Sequence, residues 1–261
     1  TARLFTGALV PREQLAGASV FVVNGILNTF LCAHPQLARL PGVVIINDTL
    51  VPRRAFAALY DFWRKRVQMV FQTPSVKEFY LGGTGYSFAD DDIMAPGVDM
   101  TFFSAADRSR PLRASEGRVL LGSLSNLSPR KGVEDGIRVA AAVAEAAPQL
   151  SVEYKIAGDL LKTQGEYLAL LQDSAKKVPE NCSVDFLGFL DPRESVRFLR
   201  SLDALLLPSR SESFPQVVVQ AQAVGTPVFA YRIPGLVDQI EDGRTGYLED
   251  LFDTEALARR V

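Results

Sequence analysis

From Ala18 onward, short runs of β-branched residues alternate with longer amphipathic stretches, the pattern of parallel strands joined by crossover helices. In the first hundred residues this pattern predicts strands at 19–24, 43–47, 67–72 and 92–95, separated by helices near 28–40, 52–66 and 74–81. Four strands make a thin sheet for an independent domain. The periodicity fades between Pro96 and Gly117 into a stretch rich in Ser, Ala, Arg and Pro, which reads as an interdomain linker. A second series then predicts strands at 118–123, 152–157, 183–187, 204–207 and 227–230, with helices near 131–147, 164–178, 193–201, 215–224 and 254–261. That is a five-stranded doubly wound unit. The fold class is α/β, with a first unit at 1–97, a linker at 98–116 and a second unit at 117–261.

Composition removes several function classes. The 261 residues are 48% hydrophobic and 22% charged, enough for a packed core and without a like-charge run that would oppose folding. Lys and Arg number 28 against 30 Asp and Glu, so no broad basic surface for nucleic acid is expected. Cys32 and Cys182 form no metal-ligand or redox spacing, which fits a reducing cytosol. With His34 as the single histidine, flanked by apolar residues and Pro35, a zinc cluster and a Ser/His/Asp triad both lack parts. No apolar stretch approaches the roughly 20 residues of a bilayer span. Asp90, Asp91 and Asp92 could pass for metal-binding carboxylates, but a solvated turn before a strand explains them better. The chain opens at Thr1 and stops at Val261 inside a helical pattern, so it is expected to be part of a longer polypeptide.

Doubly wound sheets place ligands at the carboxyl ends of their strands. The informative loops of the second unit are therefore 123–132, 158–165, 188–192, 208–215 and 231–235, which would put Gly158 and Gly188 beside a bound ligand. None carries G-x-G-x-x-G or G-x-x-x-x-G-K-[ST], which argues against a dehydrogenase or a P-loop ATPase. The most informative segment is Pro208-Ser-Arg-Ser-Glu-Ser-Phe-Pro-Gln-Val-Val-Val-Gln-Ala-Gln-Ala-Val-Gly-Thr-Pro-Val. A buried strand ends there in a polar loop with one carboxylate, Glu212, and Pro215 is expected to open a helix as its first residue. The helix is apolar on most sides, so its free N–H groups and positive dipole end would face the cleft and could hold a diphosphate. An ordinary buried strand–helix unit with a solvated loop accounts for the same residues about equally well.

This segment resembles the nucleotide-sugar signature of glycosyltransferase family 4, roughly PS-x-x-E-x-F-(G/P)-x-x-x-x-E-A-x-A-x-G-x-PV. The run Ile233-Pro-Gly-Leu-Val-Asp-Gln-Ile-Glu-Asp-Gly-Arg-Thr-Gly-Tyr-Leu is similar to its GG-x-x-(E/D)-x-I-x-(D/N)-G-x-x-G. Ser125-Asn-Leu-Ser-Pro-Arg-Lys-Gly resembles the GRL-x-x-x-KG loop, and Ile93-Met-Ala-Pro-Gly-Val-Asp-Met-Thr-Phe-Phe resembles I-x-x-(N/P)-G-V-D-x-x-x-F. The resemblance covers nearly the whole chain from Ser19 to Leu248. It implies a GT-B fold of two Rossmann-like lobes, the N-terminal acceptor-side lobe incomplete, and a retaining, metal-independent transferase with a nucleoside-diphosphate-sugar as donor substrate and no cofactor.

By that resemblance Glu212 and Lys131 are the catalytic residues, Glu212 on the sugar hydroxyls and Lys131 on the diphosphate. Ser213, Phe214, Pro215, Gln216 and Val217 would hold phosphate or sugar oxygens through their backbone. Gln220 stands where the pattern has a second glutamate, and an amide accepts ribose hydroxyls with one oxygen only. Asn126 replaces an expected arginine, with Arg130 the nearest substitute, and Asn47-Asp48 stands in place of His-Asp. These departures motivate an alternative: a weakened transferase-like protein acting as a binding or scaffolding subunit. A non-transferring relative, such as a sugar-nucleotide epimerase, fits the E-x-F-P and KG loops less well. Lys131 is expected at the start of a helix, where a structural ion pair is a poor explanation for it. The acceptor is unidentified. The helix at 52–66 has basic ends and aromatics at Phe56, Tyr60 and Trp63, a spacing that fits packing on its own sheet better than a weak contact with an anionic inner-membrane surface.

Overall fold

In the computed structural model of the protein, residues 21–24, 40–47, 53–82, 93–103, 117–159 and 165–261 are described. The chain divides into two units, Thr1–Pro96 and Gly97–Val261. In the first, β1 (Phe21–Asn24), β2 (Gly42–Ile46) and β3 (Gln68–Phe71) form a parallel sheet in the order β1-β2-β3. Helices α1 (Arg53–Trp63) and α2 (Pro74–Leu81) belong to the same unit. Phe56, Tyr60 and Trp63 are all buried, and Phe56 stacks on Tyr80 at 4.1 Å between ring centroids, so the aromatic stripe is core rather than membrane face. Thr73 caps α2 by accepting from the Val76 N–H, with Pro74 in the first turn where its missing donor costs nothing. The strand expected at 92–95 is reduced to a single parallel bridge between Phe71 and Ile93. Pro96 follows without an N–H to extend a ladder.

The second unit is a six-stranded parallel sheet, one strand more than the hydrophobic runs predict. It comprises β4 (Arg118–Leu124), β5 (Ser151–Ala157), β6 (Cys182–Gly188), β7 (Ala204–Leu207), β8 (Val228–Tyr231) and β9 (Gly246–Glu249), in the order β6-β5-β4-β7-β8-β9. The missed strand is β9, because the run Asp242-Gly-Arg-Thr-Gly-Tyr-Leu248 that leads into it reads as a turn. Gly246 is there for close approach: a Cβ on it would lie 1.9 Å from the Val228 carbonyl oxygen of β8. All residues of β7 and β8 are buried, as continuous apolar runs of a two-sided parallel sheet should be. Val98 and Phe103, in the stretch read as a linker, pack against this core.

The crossovers are α3 (Val133–Ala146), α4 (Gly165–Ala175), α5 (Pro192–Ser201) and α6 (Gln216–Ala223), with α7 (Thr254–Arg260) closing the chain. Two boundaries correct the sequence reading. Lys131 does not open α3; it ends a 3-10 turn, Pro129–Lys131, and Gly132 at φ 62° separates the turn from the helix. A Cβ on Gly132 would meet the Pro208 carbonyl oxygen at 2.1 Å, so only glycine lets the two backbones touch. Pro215 is the N-cap of α6 rather than its first helical residue, which is Gln216.

Candidate functional site

Strand order places the site. From β4 the chain winds outward through β5 and β6, whereas β7, β8 and β9 wind the other way, so β4 and β7 are neighbours whose crossovers diverge. The crevice at their carboxyl ends is the switch point where doubly wound sheets hold ligands. Ser123, near the end of β4, donates from Oγ to the Leu206 carbonyl (2.6 Å) and so ties the two strands together beneath that crevice. Residues 125–132 and 208–215, 83 positions apart in sequence, emerge side by side.

The two loops are laced together. Lys131 Nζ lies 2.5 Å from Glu212 Oε1, and Arg130 Nη1 lies 3.4 Å from Glu212 Oε2 while donating to the Ser211 carbonyl at 2.6 Å. The Glu212 side chain is 6% exposed and that of Lys131 13%. An isolated carboxylate at that depth is unfavourable, and paired cations relieve it. Two cations facing one carboxylate leave one positive charge over. The expectation that Lys131 makes no structural ion pair is therefore wrong: its partner comes from a loop that sequence spacing cannot bring near it.

Helix α6 begins beside Glu212, with no side-chain hydrogen bond at its N-cap, Pro215. The first-turn N–H groups of a helix have no intrahelical acceptor, so those of Gln216 and Val217 are donors for an anion. Loop 231–235 backs this arrangement: a Cβ on Gly235 would meet the Ser213 carbonyl oxygen at 2.5 Å. The structure thus brings Arg130, Lys131, Glu212, Ser213, Phe214, Pro215, Gln216 and Val217 to one end of the sheet. Asn126 sits on the β4 loop and is exposed. Gly158 follows β5, buried, and its N–H donates to the carbonyl of Gly188 at the end of β6 (2.8 Å). Gln220 lies on the second turn of α6, half-buried, and its side chain shares no hydrogen bond with Lys131 or Glu212.

A second polar cluster, missed in the sequence, lies beside the first. Glu134 and Asp135 open α3, as carboxylates favour the positive end of a helix. Arg210 Nη2 donates to Glu134 Oε1 (2.5 Å) and lies 3.4 Å from Asp135 Oδ2. Arg138 donates to Asp135 (2.7 Å), and the Tyr167 hydroxyl donates to Glu134. Burial, then the Glu134 charge, raises the Tyr167 phenol pKa and keeps it a donor. Burial, then the Asp135 charge, raises the Tyr231 phenol pKa as well, although its hydroxyl has no hydrogen-bond partner among the described residues. Nothing in the local pattern marks Arg210, which occupies an unspecified position of the motif. His34, Cys32 and Asp90–Asp92 fall outside the described residues. Burial pushes the Cys182 thiol up to about 11, as an inert core thiol.

A cavity of about 340 Å³ opens at the opposite, amino ends of β4, β7, β8 and β9, lined by Leu121, Ala204, Phe229 and Tyr247 among others. It lies away from the charged crevice, and by strand polarity the crevice is the ligand side. Among the described residues no helix is long and apolar enough to cross a membrane.

Comparison with known proteins agrees with this geometry. Residues 105–261 match a family described as Glycosyl transferases group 1. A D-inositol 3-phosphate glycosyltransferase from Arthrobacter sp. (strain FB24) is 31% identical over 186 residues, 70% of this chain and 44% of the relative. One from Corynebacterium jeikeium (strain K411) is 34% identical over 170 residues, 63% of this chain and 39% of the relative. The chain thus spans less than half the length of these curated relatives. Among solved structures, Anabaena HepE in complex with UDP and glucose superposes with a TM-score of 0.74 at 21% identity, covering 98% of this chain and 72% of that one. An α,α-trehalose 6-phosphate synthase from Burkholderia multivorans gives 0.75 at 13%, covering 99% and 65%. The fold is GT-B.

Proposed function

The chain belongs to the glycosyl transferases group 1 family, and from that premise we propose that it moves a sugar from a nucleoside-diphosphate donor to an acceptor hydroxyl, with retention and without a metal. The observation that carries the reading is the buried Glu212 carboxylate facing two cations, Arg130 and Lys131, at the β4/β7 switch point beside the uncapped start of α6. One surplus positive charge and a set of helix N–H donors suit the dianionic diphosphate of the donor.

In the reaction the bond from the anomeric carbon to the terminal phosphate oxygen breaks, and one to the acceptor oxygen forms. The nucleoside diphosphate leaves with the bonding electron pair, and the acceptor proton passes to it or to solvent. Charge grows on the diphosphate as the bond breaks, so Lys131, Arg130 and the α6 N–H groups bind the transition state better than the donor. Such groups supply the charge stabilisation that a divalent cation would otherwise bring. Glu212, released from Lys131 as the diphosphate arrives, becomes an acceptor for the sugar hydroxyls. Retention is read from the family resemblance.

UDP-glucose is the first donor to try, since HepE is seen in complex with it. Incubation with UDP-glucose and a panel of polyol acceptors should release UDP with or without a chelator, and the product should keep the anomeric configuration of the donor. An inverted product, or activity abolished by the chelator, contradicts the reading. Gln220 and the exposed Asn126 favour a second reading, a nucleotide-binding subunit without turnover. Saturable binding with no UDP release would establish that one instead.

A further inference from the structure

We propose that Arg210 is a positioning residue for sugar transfer, fixing Lys131 against Glu212 without itself meeting the donor. The inference rests on the donor reading above.

Arg210 follows Ser209 in the β7 loop, but its guanidinium turns away from Glu212 and back toward the β4 loop. Nη1 donates to the Pro129 carbonyl at 2.8 Å, and the Arg210 backbone N–H donates to the Arg130 carbonyl at 2.9 Å. The two carbonyls preceding Lys131 are thus both held by one residue. Bonds run the other way as well, from Arg130 to the Ser211 carbonyl and to Glu212. The Pro129–Lys131 turn cannot slide along the β7 loop without breaking several of these bonds together. Direct backbone contact at Gly132 and Pro208 closes the lower end of the same seam.

The other end of the guanidinium is fixed too. Glu134 and Asp135 anchor Nη2 to the first turn of α3. The Phe252 ring lies 5.5 Å from Arg210 Cζ, within range of a cation–π contact. Among the described residues Phe252 is the one non-glycine residue with positive φ, at 71°. An L residue is strained there, and such strain persists only where surrounding contacts hold it. Four groups from three segments therefore surround one fork, and one of them, the Pro129 carbonyl, belongs to the turn that carries Lys131. Without the fork, Glu134 keeps Tyr167 and Asp135 keeps Arg138, so α3 retains partners, while the turn loses its side-chain tie at Pro129 and keeps only the backbone bond to Arg130 from this residue. A lysine carries three donors at a single point and cannot span the acceptors on both the turn and α3 as the fork does.

The test compares Arg210→Met and Arg210→Lys with Arg138→Ala in the full chain; Arg138 shares Asp135 but touches nothing on the turn. UDP-glucose turnover, UDP affinity by calorimetry and ligand-free melting are measured for each. A small misplacement of groups that act in the transition state costs turnover more than binding, so Arg210→Met should lose about 10- to 100-fold in kcat while KM and the UDP Kd stay within about threefold. Arg210→Lys should fall between, and Arg138→Ala should keep kcat per folded molecule within about twofold even if it melts lower. A kcat for Arg210→Met within about threefold of wild type, or a loss appearing wholly in KM, overturns the proposal. Should Arg210→Met fail to fold, Arg210→Lys with undiminished kcat overturns it equally. A wild type that binds UDP-glucose and releases nothing removes the proposal, as there is no transfer to position. A wild type that binds no nucleoside diphosphate removes the donor reading itself, an outcome distinct from normal turnover in the Arg210 variants.

Discussion

Two charged clusters lie side by side at the β4/β7 switch point, and their charge balance separates them. In one, Lys131 and Arg130 face a single carboxylate, Glu212; in the other, Arg210 and Arg138 face two, Glu134 and Asp135. The second is neutral and the Tyr167 hydroxyl donates to Glu134, so its charges balance within the fold and it contributes rigidity. The first carries a surplus positive charge beside uncapped helix N–H groups, and under the proposed function an anion completes it. Similar residues thus perform different tasks because of one extra carboxylate.

The sharpest way to break this contrast is to remove charges from the first cluster. Lys131→Ala should lower turnover by about 10²–10³, the usual effect of losing one preorganised donor to a developing anion. It should also melt lower without ligand, by about 1–3 kcal/mol of stability, because Glu212 stays buried with only Arg130 beside it. Melting curves and kcat on the same preparations check both, and unchanged turnover would assign Lys131 to structure alone. Glu212→Gln should reduce transfer by a comparable factor of about 10² or more while UDP affinity is retained or increased, since an internal competitor for the cations is gone. Loss of UDP binding in that variant contradicts the surplus-charge argument.

The second cluster should respond in the opposite sense. Asp135→Ala removes a carboxylate that is 1% exposed and leaves Arg210 and Arg138 short of a partner, at a cost of about 3 kcal/mol in chemical denaturation. Turnover per folded molecule should fall less than about tenfold, and a larger loss with unchanged stability would erase the distinction between the clusters. Gln220→Glu probes a position outside both, where a carboxylate can accept two ribose hydroxyls. A charged hydrogen bond is worth about 1.5–3 kcal/mol, part of it offset by desolvation, so a gain of about 1 kcal/mol in nucleoside diphosphate affinity is expected by calorimetry. No gain would show the amide to be the adapted residue. The smallest effect belongs to Arg244→Ala, an exposed pair with Glu241, which should change stability by no more than about 0.5 kcal/mol.

Among the described residues, alternating apolar runs made the strand and helix sequence legible, because burial period is a local property of the chain; the helix expected near 28–40 lies outside them. Most observed elements lie within a few residues of the predicted ones, and β7 at Ala204–Leu207 coincides with its prediction. Glu212 and Lys131 were singled out through motif residues that resemble a known family, each in a segment that follows a strand, and the fold pairs them. The strand β9 was not legible, since Gly246 serves close packing against β8 while signalling a turn. Pro96 likewise ends a ladder that the apolar residues before it suggest.

What the sequence by itself determined is the class of fold, the polarity of the strands and the loops that could hold a ligand. Strand order was left to the tertiary structure, because pairing β4 with β7 joins segments some 80 residues apart and has no local signature. That pairing alone sets Lys131 against Glu212 and gives Arg210 its acceptors at Pro129, Glu134 and Asp135. Ion pairing depends on distance in space and on burial, and neither is a function of spacing along the chain. A lysine read as an isolated cation awaiting an anion is, once folded, paired with a buried carboxylate from the other loop.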